Sequence, residues 1–221
     1  MIQLFHVAKT YPGADEYALA DVNLNVDKGE FVFLTGPSGA GKTTLLRLLF
    51  AAERPSNGQI LIGNRNIARL SRRQIPALRR SIGVVFQDFK LIDTRSVFEN
   101  VALTLDVRGE PRRATRSRVE AVLKRVGLLH KKHAAPRHLS GGEQQRIAIA
   151  RALVAEPSIV LADEPTGNLD PERSLDIMNM LNDVNARGTT VLVATHDPTL
   201  IERFRKRVIA LEAGRVVRGG G

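Results

Sequence analysis

The sequence predicts an α/β protein, with a parallel-sheet core, an antiparallel β region before it and an all-helical insertion within it. Three observations lead there. First, "FVFLT" (31–35), "IGVVF" (82–86), "SIVLAD" (158–163) and "TTVLVAT" (189–195) are short, nearly continuous apolar runs, as expected of strands covered on both faces. Second, three of these runs lead through polar turns into helix-spaced segments, and strand–loop–helix is the order that builds a parallel sheet. Third, "IQLFHVAKTY" (2–11) and "LADVNLNVDKGE" (19–30) alternate apolar and polar residues, as half-exposed antiparallel strands do.

Taken in order, the remaining segments fill this frame. "KTTLLRLLFAA" (42–52) spaces its leucines as a helix, and "QILIGN" (59–64) ends in a turn and rejoins the antiparallel sheet. Between Gln87 and Ser140 the β-like runs vanish. There "SVFENVALTLDV" (96–107) and "ATRSRVEAVLKRVGLL" (114–129) are expected as helices, the second stopping near Gly127. "EQQRIAIARALVAE" (143–156) continues as a helix, and the closing "RGGG" (218–221) is expected to fray. The expectation is one domain over 1–221, with residues from about 88 to 150 forming a helical subdomain.

Composition narrows the function classes. A chain without cysteine has no disulfide or thiolate metal site, which fits a reducing compartment. The N-terminus lacks the basic–apolar–small pattern of a secretion signal. The longest apolar runs fall far short of the roughly 20 residues that span a bilayer, so membrane association must come through a partner or the surface. Lys and Arg number 33 against 23 acidic residues, a net charge of +10. The excess is concentrated: residues 65–80 hold six arginines and no acid, and residues 108–118 hold five with Glu110 alone opposing. A solvated face, a nucleic-acid surface and an anionic membrane surface all remain open for these clusters.

Three stretches carry chemistry. "GPSGAGKTT" fits G-x-x-x-x-G-K-[ST], follows an apolar strand and opens a helix. Its glycines Gly36, Gly39 and Gly41 let the loop wrap the backbone N–H groups of Ser38 and Ala40 around phosphates, with Pro37 stiffening the turn, and the helix N-terminus adds its dipole. Lys42 is placed to reach the β- and γ-phosphates, Thr43 to ligate Mg²⁺, and Thr44 completes the loop. "SIVLADE" delivers Asp163 and Glu164 at a strand end, one suited to hold Mg²⁺ and the other to orient or deprotonate the attacking water. Together they predict nucleotide hydrolysis. "LSGGEQQR" (139–146) contains a capping box, Ser140 with Glu143, but a cap needs no paired glycines. Gly141 and Gly142 would admit an anion, so both a structural and an anion-binding role stay open.

These motifs, in this order across nearly the whole chain, resemble the ATP-binding-cassette (ABC) ATPases. The resemblance implies an ABC-type nucleotide-binding domain using ATP and Mg²⁺ in a head-to-tail homodimer. In it Ser140, Gly141, Gly142 and Gln144 would cover the γ-phosphate of the other chain's ATP. It further implies adenine stacking by Tyr11, Mg²⁺ and water contact by Gln87, and a subunit-facing loop at "GNLD" with Asp170. His196 would be a switch residue on the γ-phosphate.

Within the family, "ADEPTGNLD" resembles the subgroup of lipoprotein-release, macrolide-export and cell-division cassettes, and "VFQDFKLI" (85–92) resembles the cell-division branch. That branch implies a peripheral protein on the cytoplasmic face of the bacterial inner membrane, at the division site. Its partner would be the membrane protein FtsX, docked near Gln87 to Leu103, together with other division proteins in control of peptidoglycan hydrolysis. The alternative is an ATPase subunit of a lipoprotein-release or macrolide-type exporter with a related permease. Nucleic acid is not implied as a partner.

Overall fold

The computed structural model describes residues 1–13, 16–167 and 169–220. It contains two sheets. The four-stranded antiparallel sheet has the order β2–β1–β4–β5, from β1 (Ile2–Lys9), β2 (Leu19–Val26), β4 (Asn57–Ile62) and β5 (Arg65–Asn66). The alternation in β1 slips between Leu4 and Val7, where a bulge puts His6 at φ 50. One face remains buried on either side of it.

The six-stranded sheet has the order β10–β9–β3–β8–β7–β6. Its strands are β3 (Phe31–Thr35), β6 (Ile82–Val85), β7 (Ile159–Asp163), β8 (Thr190–Ala194), β9 (Arg207–Glu212) and β10 (Arg215–Arg218). All pair in parallel except β10, which forms a hairpin with β9. The last two strands are not anticipated from the sequence. The expected fraying at "RGGG" is corrected in part: β10 runs to Arg218, and the Gly219 carbonyl accepts from the Arg207 guanidinium at 2.7 Å. Gly221 lies outside the described residues.

Helix α1 (Lys42–Leu49) lies between the sheets, and its leucines share one core with Leu4, Val22, Ile60, Leu161 and Leu192. It stops short of the expected end at Ala52, because Ala51 turns to φ 53. The short α2 (Ile75–Arg80) precedes β6. On the far face of the parallel sheet, α6 (Pro171–Asn185) and α7 (Pro198–Phe204) close a second core around Phe33, Val160 and Val193.

A third core is made by α3 (Val97–Asp106), α4 (Arg112–Arg125) and α5 (Gly141–Leu153). From residue 88 to residue 158 no strand occurs among the described residues. Helix α5 is shared between cores: Ile149, Ala152 and Leu153 pack toward the parallel sheet, whereas Ile147, Ala150 and Val154 pack on α3 and α4. Among the described residues no helix is long and apolar enough to cross a membrane.

The loop between β6 and α3 is held by Asn100, which is fully buried. Its amide accepts from Ile92 N–H at 2.7 Å and donates to the carbonyls of Ile92, Arg95 and Ser96. Asn100→Ala leaves those groups without this partner and should destabilise the fold by about 1–3 kcal/mol. Urea denaturation checks this, and an unchanged midpoint would contradict it.

Candidate active site

The phosphate-loop geometry is set by two glycines that leave no room for a side chain. Gly36 has φ 145, and a Cβ there would lie 2.1 Å from the Leu211 carbonyl oxygen of β9. Gly41 has φ 103, and its Cβ would lie 2.5 Å from the Ala18 carbonyl oxygen and 2.8 Å from Leu19 Cδ2. Among the described residues Gly39 meets nothing within 4 Å, but it adopts φ 79, so conformation is what favours glycine there. The β9–β10 turn closes the loop from outside, Gly214 N–H donating to the Ala40 carbonyl at 3.2 Å.

Lys42 is buried at the start of α1. Its ammonium donates to the carbonyls of Gly36 at 2.7 Å and Pro37 at 3.0 Å, which hold the charge inside the curl of the loop. The Thr43 hydroxyl donates to Asp163 Oδ1 at 3.2 Å, joining the first turn of α1 to the end of β7. Hydroxyl and carboxylate oxygens side by side fit a hard divalent cation completed by phosphate and water oxygens.

Glu164 leaves β7 in the left-handed region at φ 45, its N–H held by the Ala194 carbonyl at 2.9 Å. That turn aims its largely buried carboxylate toward His196, with Oε1 2.9 Å from the imidazole Nδ1. His196 itself is exposed. Residues 37–44, Gln87, Asp163, Glu164 and His196 line one cavity of about 460 Å³.

Other expected residues stand apart from this cavity. Gly36 acts from beneath the loop. Tyr11 reaches its rim, with the phenol oxygen 3.4 Å from the Thr44 hydroxyl. Ser140, Gly141, Gly142 and Gln144 do not line it. The capping box is present: the Ser140 hydroxyl accepts from Glu143 N–H at 3.3 Å, and Glu143 accepts from Ser140 N–H at 2.9 Å. Gln144 donates to the Leu139 carbonyl at 3.1 Å. Lys131, 2.5 Å from Glu143, and the Ser140 bond hold that carboxyl below its usual range. Asp170 caps α6, accepting from Arg173 N–H at 3.0 Å, while Asn168 of the same "GNLD" stretch lies outside the described residues.

Sequence reasoning misses two supports. Gln145, fully buried, donates to the Pro165 carbonyl at 2.6 Å and so ties α5 to the turn that carries Glu164. Arg151 donates to the carbonyls of Phe89 and Lys90, at 2.7 and 2.5 Å, and fixes the loop beyond Gln87. Neither has a local pattern; a polar residue on an otherwise apolar helix face is the one signal available.

Burial pushes the Asp163 carboxyl above the ordinary range; the Thr43 hydrogen bond opposes this and the nearby Glu164 charge adds to it. The folded, ligand-free protein therefore holds the Asp163 proton more tightly than the unfolded chain. Its stability falls as pH rises from the ordinary aspartate range through the raised value. Asp163→Asn should raise the melting temperature of the ligand-free protein at neutral pH, with the gain shrinking on acidification below the aspartate range. Equal melting temperatures at neutral pH would contradict the penalty.

Comparison with known proteins places this arrangement. Residues 19–167 match the family model described as ABC transporter. The cell division ATP-binding protein FtsE of Mycobacterium tuberculosis is 52% identical over 218 residues, covering 99% of this chain and 95% of that protein. FtsE of Escherichia coli K12 is 48% identical over 221 residues, covering 100% and 99%. A dimeric ATP-binding cassette in a post-hydrolysis state, bound to ADP and Pi, superimposes with a TM-score of 0.92 at 41% identity, covering 99% of this chain and 97% of that chain. A dimeric bacterial ABC transporter cassette gives the same TM-score and coverage at 42% identity. The chain belongs to the ABC transporter family, as one of its ATP-hydrolysing cassettes.

Proposed function

We propose that the chain is the ATPase subunit of a cell-division complex and works as a homodimer on FtsX at the cytoplasmic face of the inner membrane. There it controls peptidoglycan hydrolysis outside that membrane together with other division proteins. In this reading it is a single domain over 1–221 with a helical subdomain from about 88 to 150. The observation that carries the ATPase part is the convergence of Lys42, Thr43, Asp163, Glu164 and His196 on one cavity. FtsE relatives near 50% identity support the division role.

ATP would enter with its phosphates on the N–H groups of residues 38–44 and its adenine against Tyr11 at the rim. Lys42 then turns its donors from the Gly36 and Pro37 carbonyls toward the β- and γ-phosphates. Thr43, Asp163 and Gln87 would hold Mg²⁺, directly or through water, and that ion would neutralise charge on the phosphates. Glu164 accepts a proton from the water whose oxygen bonds to the γ-phosphorus, while the β–γ bridging oxygen leaves with ADP. His196 keeps Glu164 aimed and contacts the γ-phosphate.

The signature residues are assigned to the partner's ATP. Among the described residues nothing stands within 4 Å of a Cβ placed on Gly141, so no contact among them calls for glycine there. Ser140 and Glu143 satisfy each other, and the N–H groups of Gly141 and Gly142 lie in the first helical turn, where no intrahelical acceptor exists. An anion approaching from another chain fits both facts. Gln144 lies beside them.

For FtsX the reading offers an apolar groove of about 600 Å³ between the sheet core and the helical layer. Phe50, Ile82, Val84, Phe86, Leu103 and Val107 line it, next to the loop after Gln87. A helix of the membrane partner seated there would sense the position of Gln87.

One experiment tests both parts. Tagged Glu164→Gln protein should hydrolyse ATP at least about 100-fold more slowly, because the base is lost. With ATP it should elute as a dimer and retain FtsX from solubilised membranes, and adding Val107→Asp in the groove should release FtsX. Normal turnover would remove the base assignment. Retention of a lipoprotein-release or macrolide-export permease would keep the ATP chemistry and move the function to transport.

A further inference from the structure

The arginine clusters have no part in the ATP chemistry, and the fold brings them together. Arg79 and Arg80 line the groove, and Arg79 is engaged with the carbonyls of Phe50 and Ala51 at 3.1 and 3.0 Å. Arg108, one residue beyond the groove-lining Val107, donates to the Arg80 carbonyl and, at 2.7 Å, to the Ala155 carbonyl. The two basic segments are thus hydrogen-bonded to each other at the edge of the groove.

Outward from this junction Arg116 pairs with Glu120 and Arg118 with Glu110, at 3.4 and 3.3 Å, while the other arginines have no carboxylate partner among the described residues. Arg65, Arg69, Arg72 and Arg73 are exposed, and among the described residues none of them pairs with a carboxylate. Arg112 and Arg113 are exposed as well and stand in the first turn of α4, which holds no acid. Cations are unfavourable at that end of a helix, so the charges there are retained against local electrostatics. Val107, 60% exposed, lines the same groove as Arg79 and Arg80. Residues 65–80 and 107–118 contain no aromatic side chain on which a nucleic-acid base could stack.

We infer that this arginine surface, flanking the partner groove, binds the phosphate headgroups of anionic lipids, so that the membrane itself is a second ligand of the chain. The inference rests on the docking reading above, which turns the groove toward the membrane. An anionic bilayer matches an unpaired positive surface several residues wide, and each arginine near it strengthens binding by roughly fivefold. The lipid contact would hold the chain at the bilayer between encounters with its protein partner and orient the groove.

The purified chain, without any membrane protein, is sedimented with vesicles of phosphatidylcholine alone or with added phosphatidylglycerol. It should bind the phosphatidylglycerol vesicles only, and salt should strip it off. R69Q/R72Q/R73Q should weaken binding by about tenfold or more, and R69K/R72K/R73K should retain it. Both variants should keep ATP hydrolysis, since none of these residues touches the catalytic cavity. Equal binding to the two vesicle types, or wild-type binding by the glutamine variant, would overturn the inference. Tighter binding to duplex DNA than to phosphatidylglycerol vesicles at the same salt would overturn it in favour of nucleic acid. A failure here leaves FtsX capture untouched, and failed capture leaves the vesicle result standing.

Discussion

The candidate catalytic cavity depends on two close approaches between glycine and a carbonyl oxygen. Gly36 presses on Leu211 of β9 and Gly41 on Ala18 just before β2, at separations that would put a Cβ 2.1 and 2.5 Å from the opposing oxygens. One contact belongs to the parallel sheet and the other to the antiparallel region, so the phosphate loop is wedged at the seam between them. Helix α1 is driven into the same seam by leucines that belong to a core shared by both sheets. The curl of the loop is therefore a consequence of sheet packing, and the Lys42 ammonium is held inside it by the Gly36 and Pro37 carbonyls. A side chain at Gly36 or Gly41 would push apart backbones that cannot retreat without unpairing strands.

Helix α5 is the second organising element. Its opposite faces belong to different cores, one under the parallel sheet and one among α3 and α4. The signature residues are its first turn, and Gln145 in the next turn holds the Pro165 carbonyl beside Glu164. Arg151 on the same helix grips the loop after Gln87. A displacement of α5 by a neighbouring chain would therefore act on the proposed base, Glu164, and on the Gln87 loop through two hydrogen-bonded links. That is a physical route by which, in the proposed dimer, ATP and the proposed partner groove can bias one another.

Much of this is readable from local pattern. The continuous apolar runs become β3, β6, β7 and β8, and the alternating runs become β1 and β2, because burial on two faces or one writes itself directly into the sequence. The motif residues from Pro37 to Thr44, with Asp163, Glu164, Gln87 and His196, fall on one cavity as their spacing within strand-end loops predicts. What local pattern does not carry is contact at long range. The steric demand on Gly36 comes from Leu211, and the support of the Ala40 carbonyl comes from Gly214, in a hairpin the sequence reading passes over. Ser140, Gly141, Gly142 and Gln144 lie off the cavity for a different reason: in the proposed dimer their ligand is on another chain, and no spacing within one chain encodes it.

The central claim is that each proposed ATP site is completed by the signature of a second copy. Mixing two defective chains tests it most directly: Lys42→Ala, with a damaged phosphate loop, and Ser140→Arg, with a damaged signature. Each alone should be inactive. In a mixed dimer the intact loop of one faces the intact signature of the other, so ATP hydrolysis should return on mixing. A mixture as inactive as its components would contradict the shared site and return the signature to a structural cap.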